Sequence, residues 1–67
     1  MKPIVGDRIG SATYPIFAED KRGEFPIGFA IRLKGCWVGV TGINAFERPT
    51  RQAVIDSLVL AQRKSET

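Results

Sequence analysis

The chain has no histidine, a single cysteine (Cys36) and a single tryptophan (Trp37) among its 67 residues. Without histidine there is no imidazole general base and no Ser–His or Cys–His pair. One cysteine excludes an internal disulfide, and a lone thiol is not a metal site. The seven acidic residues offer no catalytic pairing either. Glu19, Asp20 and Glu24 flank one polar turn and read as solvated. Gly35, Gly39 and Gly42 form no phosphate loop, because no Gly-Lys-Ser/Thr follows and no helix starts there. The expectation is a protein that is not an enzyme and that uses no cofactor or metal. No apolar run approaches the roughly 20 residues that span a bilayer, so no membrane segment is expected. The segment Met1–Asp7 lacks the apolar stretch of a signal peptide, and with a free thiol this points to the cytoplasm.

What remains is an ordinary globular composition, 43% hydrophobic and 25% charged. The length reads as one domain, residues 1–67. A chain this short buries only about 60% of the surface its unfolded form exposes. Such domains are commonly reinforced by disulfides, metals or oligomerisation. With the first two excluded, a homo-oligomer is the expectation. The net charge of +3 is spread along the chain, with no run of five like charges. That permits a polyanion partner without demanding one.

The clearest pattern lies at residues 25–33. Phe25, Ile27, Phe29, Ile31 and Leu33 alternate with Pro26, Gly28, Ala30 and Arg32, a period of two that marks a half-buried strand. Lys34-Gly35 makes a turn, and residues 36–42 form the returning strand. A two-residue turn pairs Leu33 with Cys36, Ile31 with Val38, and Phe29 with Val40. A slip of one residue would mix the faces, so the pattern selects this register. One face then carries the large apolar residues. The other pairs Arg32 with Trp37, Ala30 with Gly39, and Gly28 with Thr41, where Gly28 and Gly39 read as close backbone approach within the sheet. Upstream, residues 14–19 read as a strand with Pro15 in an edge position, and Asp20-Lys21-Arg22-Gly23 as a turn. Residues 1–13 read as an irregular arm, with a short strand around Ile4 or Ile9 the one regular feature to look for.

Residues 43–48 read as a connection anchored by Phe46. A helix follows, either capped by Thr50 after Pro49 or with Pro49 as its first residue. Val54, Ile55, Leu58, Val59 and Ala61 share one face of it, with Leu60 nearly opposite. Arg63 and Lys64 sit in the last turn, where the helix dipole favours cations. Residues 65–67 read as a fraying end. The expected fold is α+β: a three-stranded antiparallel meander with one C-terminal amphipathic helix packed on one face. The expected core is Ile27, Phe29, Ile31, Val38, Val40, Phe46, Val54, Ile55, Leu58 and Ala61. Cys36 is expected on that core face as a buried, inert thiol.

One helix covers one sheet face, so the face of Arg32, Trp37 and Thr41 is expected to be open. Two readings of Trp37 stand side by side. In one, the N-terminal arm covers it through Tyr14 or Ile16 and makes a second small core. In the other, it contacts a partner. Arg32, Lys34, Arg22 and Lys21 gather at strand ends and turns, so the candidate contact set is Arg32, Lys34, Trp37, Thr41, Arg22 and Lys21. A β-ribbon fits the DNA major groove, and aromatics beside arginine suit single strands. Nucleic acid is the first expected partner. Trp and Arg also dominate the energetic centres of protein interfaces. A homodimer on the same face, or an inhibitor or adaptor carried by a mobile element, is therefore the alternative; a purely structural subunit is the third reading.

The run Trp37-Val38-Gly39-Val40, followed by Gly42, Phe46, Thr50 and Ala53, resembles the plant ethylene-response-factor-type domain and the arm-binding domains of phage and transposon integrases. The resemblance covers about residues 25–61. It implies a three-stranded sheet, backed by a C-terminal helix, that lays its outer face in the major groove. Arg32, Lys34 and Trp37 are the positions that carry over. The chain departs from the pattern in the spacing between Phe46 and Thr50 and in its few basic residues. The C-terminal part of double-stranded-RNA-binding domains is a looser match, without the lysine-rich helix start.

Overall fold

A computed structural model describes residues 1–42 and 44–66, with side chains as far as residue 64. The chain forms five strands and one helix: β1 (Lys2–Val5), β2 (Thr13–Asp20), β3 (Gly23–Leu33), β4 (Cys36–Thr41), β5 (Asn44–Arg48) and α1 (Arg51–Glu66). The strands make one antiparallel meander in the order β1-β2-β3-β4-β5. The α+β class matches the expectation, but the sheet has five strands rather than three. The supposed irregular arm supplies β1, and the supposed connection supplies β5. Both are short edge strands, with Lys2 and Pro3 in one and Glu47 and Arg48 in the other, which discourages further pairing. Ile9, the other position considered for a strand, makes only an isolated bridge to Thr13. Of the residues expected to fray, Ser65 and Glu66 continue α1, and Thr67, like Ile43, lies outside the described residues.

The hairpin register holds from the turn as far as Phe29 and Val40, and the expected Gly28–Thr41 pair is not made. Leu33 pairs with Cys36, Arg32 with Trp37, Ile31 with Val38, Ala30 with Gly39, and Phe29 with Val40. Gly35 closes the turn at φ +81°, in the left-handed region that glycine adopts at little cost. Before Gly28 the ladder with β2 shifts at Ile16/Phe17, so that Gly28 opposes Ile16 and Pro26 opposes Phe17. Ile27 is the extra residue of this bulge. Pro15 sits in an interior strand, not at an edge. Its carbonyl accepts a hydrogen bond from the Gly6 amide at 2.8 Å. The N–H and C=O of a strand residue point to the same side, so the missing N–H falls at the end of β1 and removes nothing from the β3 ladder.

The helix lies on the opposite face from the one the large apolar residues suggested. Its buried residues Val54, Ile55 and Leu58 meet Ile16, Ala18, Ile27 and Ala30, and together these seven form the core. Met1, Tyr14, Phe25, Trp37, Phe46 and Val59 pack around them. Size explains the choice. Ala18, Gly28, Ala30 and Gly39 floor a trough into which a helix can descend, and the aromatic rings of Tyr14, Trp37 and Phe46 wall it. Added carbon would fill the trough: a Cβ on Gly28 would meet the Val40 carbonyl and, at 2.9 Å, the Leu58 side chain, and one on Gly39 would strike the Phe46 ring. Full burial of Ile16, Val54 and Leu58 contributes about 1.5–3 kcal/mol each. Thr50 caps the helix, its Oγ1 accepting from the Ala53 amide at 3.1 Å.

Four expected core residues are therefore displaced. Phe29 is 42% exposed, and Ile31, Val38 and Val40 are half-buried on the side away from α1. Phe46 and Ala61 are half-buried rather than buried, while Ile27, Val54, Ile55 and Leu58 are core as expected. Leu60 is exposed, as its position opposite the stripe implied.

Candidate functional site

Cross-strand pairing puts Arg32, Trp37 and Arg48 in one row across β3, β4 and β5. Directly paired residues share a sheet face, and this row lies on the helix side. The helix starts beside it. The Arg51 guanidinium stands 5.5 Å from the Tyr14 ring and 6.0 Å from the Trp37 ring. Tyr14 and Trp37 touch each other, with centroids 5.8 Å apart at a 43° tilt. Tyr14, as one of the two readings of Trp37 expected, and the start of α1 cover the indole, which stays half-buried.

Arg48 is held from two directions. Its guanidinium lies 4.8 Å from the Phe46 ring, and its Nε donates to Ser57 Oγ at 3.2 Å. A third bond, from Nη1 to the Glu47 carbonyl at 2.7 Å, fixes the plane of the group. Arg32, Arg48 and Arg51 are all exposed. Among the described residues none of the three is ion-paired, and the first turn of α1 has no acidic residue. The positive end of the helix dipole adds to the same field. This end of the molecule therefore holds three arginines and two aromatic rings without a neutralising carboxylate bonded to them.

The rest of the expected contact set disperses. Lys34 stays at this end of the sheet, in the β3–β4 turn. Thr41 is at the opposite end of β4, beside a shallow groove lined by Phe46, Leu60 and Lys64. Lys21 and Arg22 occupy the β2–β3 turn, about nine residues of strand and roughly 30 Å from Arg32. Arg22 is engaged there: it bonds Asp20 at 2.8 Å, and this guanidinium holds the Asp20 carboxyl below its ordinary value. Arg48 and Arg51 were absent from the expected set. Their place depends on β5, and the alternation of Phe46 and Arg48 is the signal that would have revealed it.

Cys36 is half-exposed on the face away from α1, not buried in the core. Desolvation, then the nearby charge and hydrogen bond of Glu47, push its thiol above the ordinary value. The thiolate is thereby disfavoured, which agrees with an inert cysteine. Among the described residues no group of three or more His, Cys, Asp or Glu could hold a metal, and no helix is long and apolar enough to cross a membrane. Comparisons with family models, curated proteins and solved structures find no match to this chain.

Proposed function

We propose that this protein is a non-enzymatic binding domain that takes nucleic acid at the arginine–aromatic end of its sheet. The observation that carries this reading is the convergence of Arg32, Arg48 and Arg51 with Trp37 and Tyr14 and no carboxylate bonded to the arginines. A guanidinium matches a phosphate with two parallel hydrogen bonds, which an ammonium cannot do. Arg51 lies over the rings, so its outer plane is available for a base to stack on, as in single-strand recognition. In this reading the contact moves from the outer sheet face, which the family resemblance implies, to the helix side. A cytoplasmic location suits a nucleic-acid partner and keeps Cys36 reduced.

Binding of a fluorescent single-stranded oligonucleotide, followed by anisotropy, tests this. Three phosphate contacts give a slope of log K against log salt of roughly −2. Arg32→Gln with Arg51→Gln should weaken binding at least tenfold and flatten that slope, while Lys21→Gln, at the far turn, stays within about twofold of the parent. No retention at about 50 mM salt, or unchanged binding by the double variant, overturns the proposal. A protein-interaction role is favoured by a different feature, the uncovered apolar side of the sheet.

A further inference from the structure

The side of the sheet away from α1 is apolar across all five strands. Its rows run Ile4–Phe17–Pro26, then Pro15–Phe29–Val40–Ala45, then Ile31–Val38. Leu33 and Cys36 close it at the β3–β4 turn. No described element packs on this side, and Phe29 and Leu33 are 42% and 48% exposed. Charge is confined to the rim: Lys2, Glu19 and Glu24 at the β2–β3 end, and Glu47 on the edge strand. With no arginine or lysine in its centre and three carboxylates around it, the face is unsuited to phosphate.

We infer that this face is the interface of a homodimer, in which two copies stack sheet on sheet through Phe29, Ile31, Val38 and Val40. Three observations select a second copy as the occupant. The first is surface area. The chain exposes 4692 Å², whereas a folded monomer of 7.4 kDa exposes about 4,200 Å². The excess is what an uncovered sheet face produces. The second is the size of the face. Five strands at about 4.8 Å spacing give a flat footprint of roughly 400 Å² on each copy before side-chain relief is added, short of the about 600 Å² per copy at the lower bound of a specific stable interface, which fits a weak dimer. The third is self-complementarity. A two-fold interface sets a patch against itself, so its centre must carry no like charges, and this centre is uncharged. Stacking at about 10 Å, as aligned sheets do, would supply the second core that seven buried residues leave wanting. Both arginine–aromatic ends stay on the outside, because they lie on the helix side, so this inference is independent of the nucleic-acid proposal.

Sedimentation equilibrium of the whole chain tests the inference. The expected mass is twice 7.4 kDa at tens of micromolar. Phe29→Glu and, separately, Leu33→Glu should each halve it while circular dichroism keeps its helical signal; both side chains are exposed, so neither substitution opens the core. A wild-type monomer overturns the proposal, and so does a dimer that both folded variants retain. Should a variant fail to fold, a mixed sample of isotope-labelled and unlabelled wild type reads the same contacts. Cross-relaxation between Phe29, Val38 and Val40 side chains of different copies is expected, and its absence overturns the proposal as well.

Discussion

Gly28→Ala is expected to leave a chain that no longer unfolds as a cooperative unit. Gly28 adopts φ +154°, and a methyl group there would point at the Val40 carbonyl oxygen and at Leu58. The carbonyl belongs to the neighbouring strand and cannot turn away as a side chain can. Relief therefore requires β3 and β4 to separate or α1 to lift. Strain at such a backbone position costs about 1–3 kcal/mol, and forcing the helix outward adds about 1–3 kcal/mol. A domain of this length has about 3–10 kcal/mol in total. Gly10→Ala is the control. Gly10 also has positive φ, +65°, but nothing lies within 4 Å of the added carbon, so only the left-handed backbone cost of about 1–2 kcal/mol applies. Urea unfolding followed by helical dichroism and Trp37 fluorescence separates the two. A Gly28→Ala protein within about 1 kcal/mol of the parent would mean that α1 does not sit on Gly28.

Leu58→Ala is expected to remove about 2–5 kcal/mol, a large share of the same total. Leu58 is 1% exposed and occupies the trough between Gly28 and the walls of the core. No neighbour can collapse into the space, because the floor beneath is glycine and alanine held by the sheet ladder. Each kcal/mol lowers the midpoint of thermal unfolding by about 4–8 °C in a domain of this size. Leu60→Ala, two residues on and 54% exposed, should stay within about 0.5 kcal/mol. The pair reads out the orientation of the helix directly, and equal losses would contradict it. Protein concentration must be held constant throughout, since the proposed dimer would raise apparent stability by mass action.

Most of the local structure was legible because each signal was chemically redundant. Alternation and the Lys34-Gly35 turn agree on one register, and the β3–β4 pairs follow it. Thr50 and the spacing of Val54, Ile55 and Leu58 define the start and the buried side of α1. The sidedness of the sheet was not legible by counting apolar residues. Burial of hydrophobic residues is a one-way rule: cores are apolar, but apolar surface is not always core. Phe29, Ile31, Val38 and Val40 outweigh the opposite face in hydrophobicity, yet a helix descends where the side chains are small. Gly28, Ala30 and Gly39 hold that information: the close approach expected within the sheet at Gly28 and Gly39 is made by the Val40 carbonyl and the cross-strand Phe46 ring, and at Gly28 Leu58 of the helix approaches as well.

The short strand expected around Ile4 is β1, whereas β5 was not legible for a related reason. Asn44–Arg48 presents too few apolar residues for a period to show. The site was legible to the same depth. Arg32 and Trp37 follow from the hairpin register alone. Arg48 follows only once β5 is in place, and Arg51 only once the helix is laid on the Trp37 side. Thr41 joins them through face parity alone, and Lys21 and Arg22 as basic residues at a turn, and neither signal carries distance along the strand.

The helix α1 packs on the Trp37 side of the sheet and leaves the Phe29 side without a covering element of the described chain. Proton cross-relaxation from the Leu58 methyl groups measures this most directly. Cross-peaks to the Gly28 α-protons and to the core side chains Ile27 and Ala30, together with cross-peaks between Trp37 and Arg51, are the predicted result. Leu58 cross-peaks to the side chains of Ile31 and Val38, with Trp37 free of contacts to α1, would contradict it.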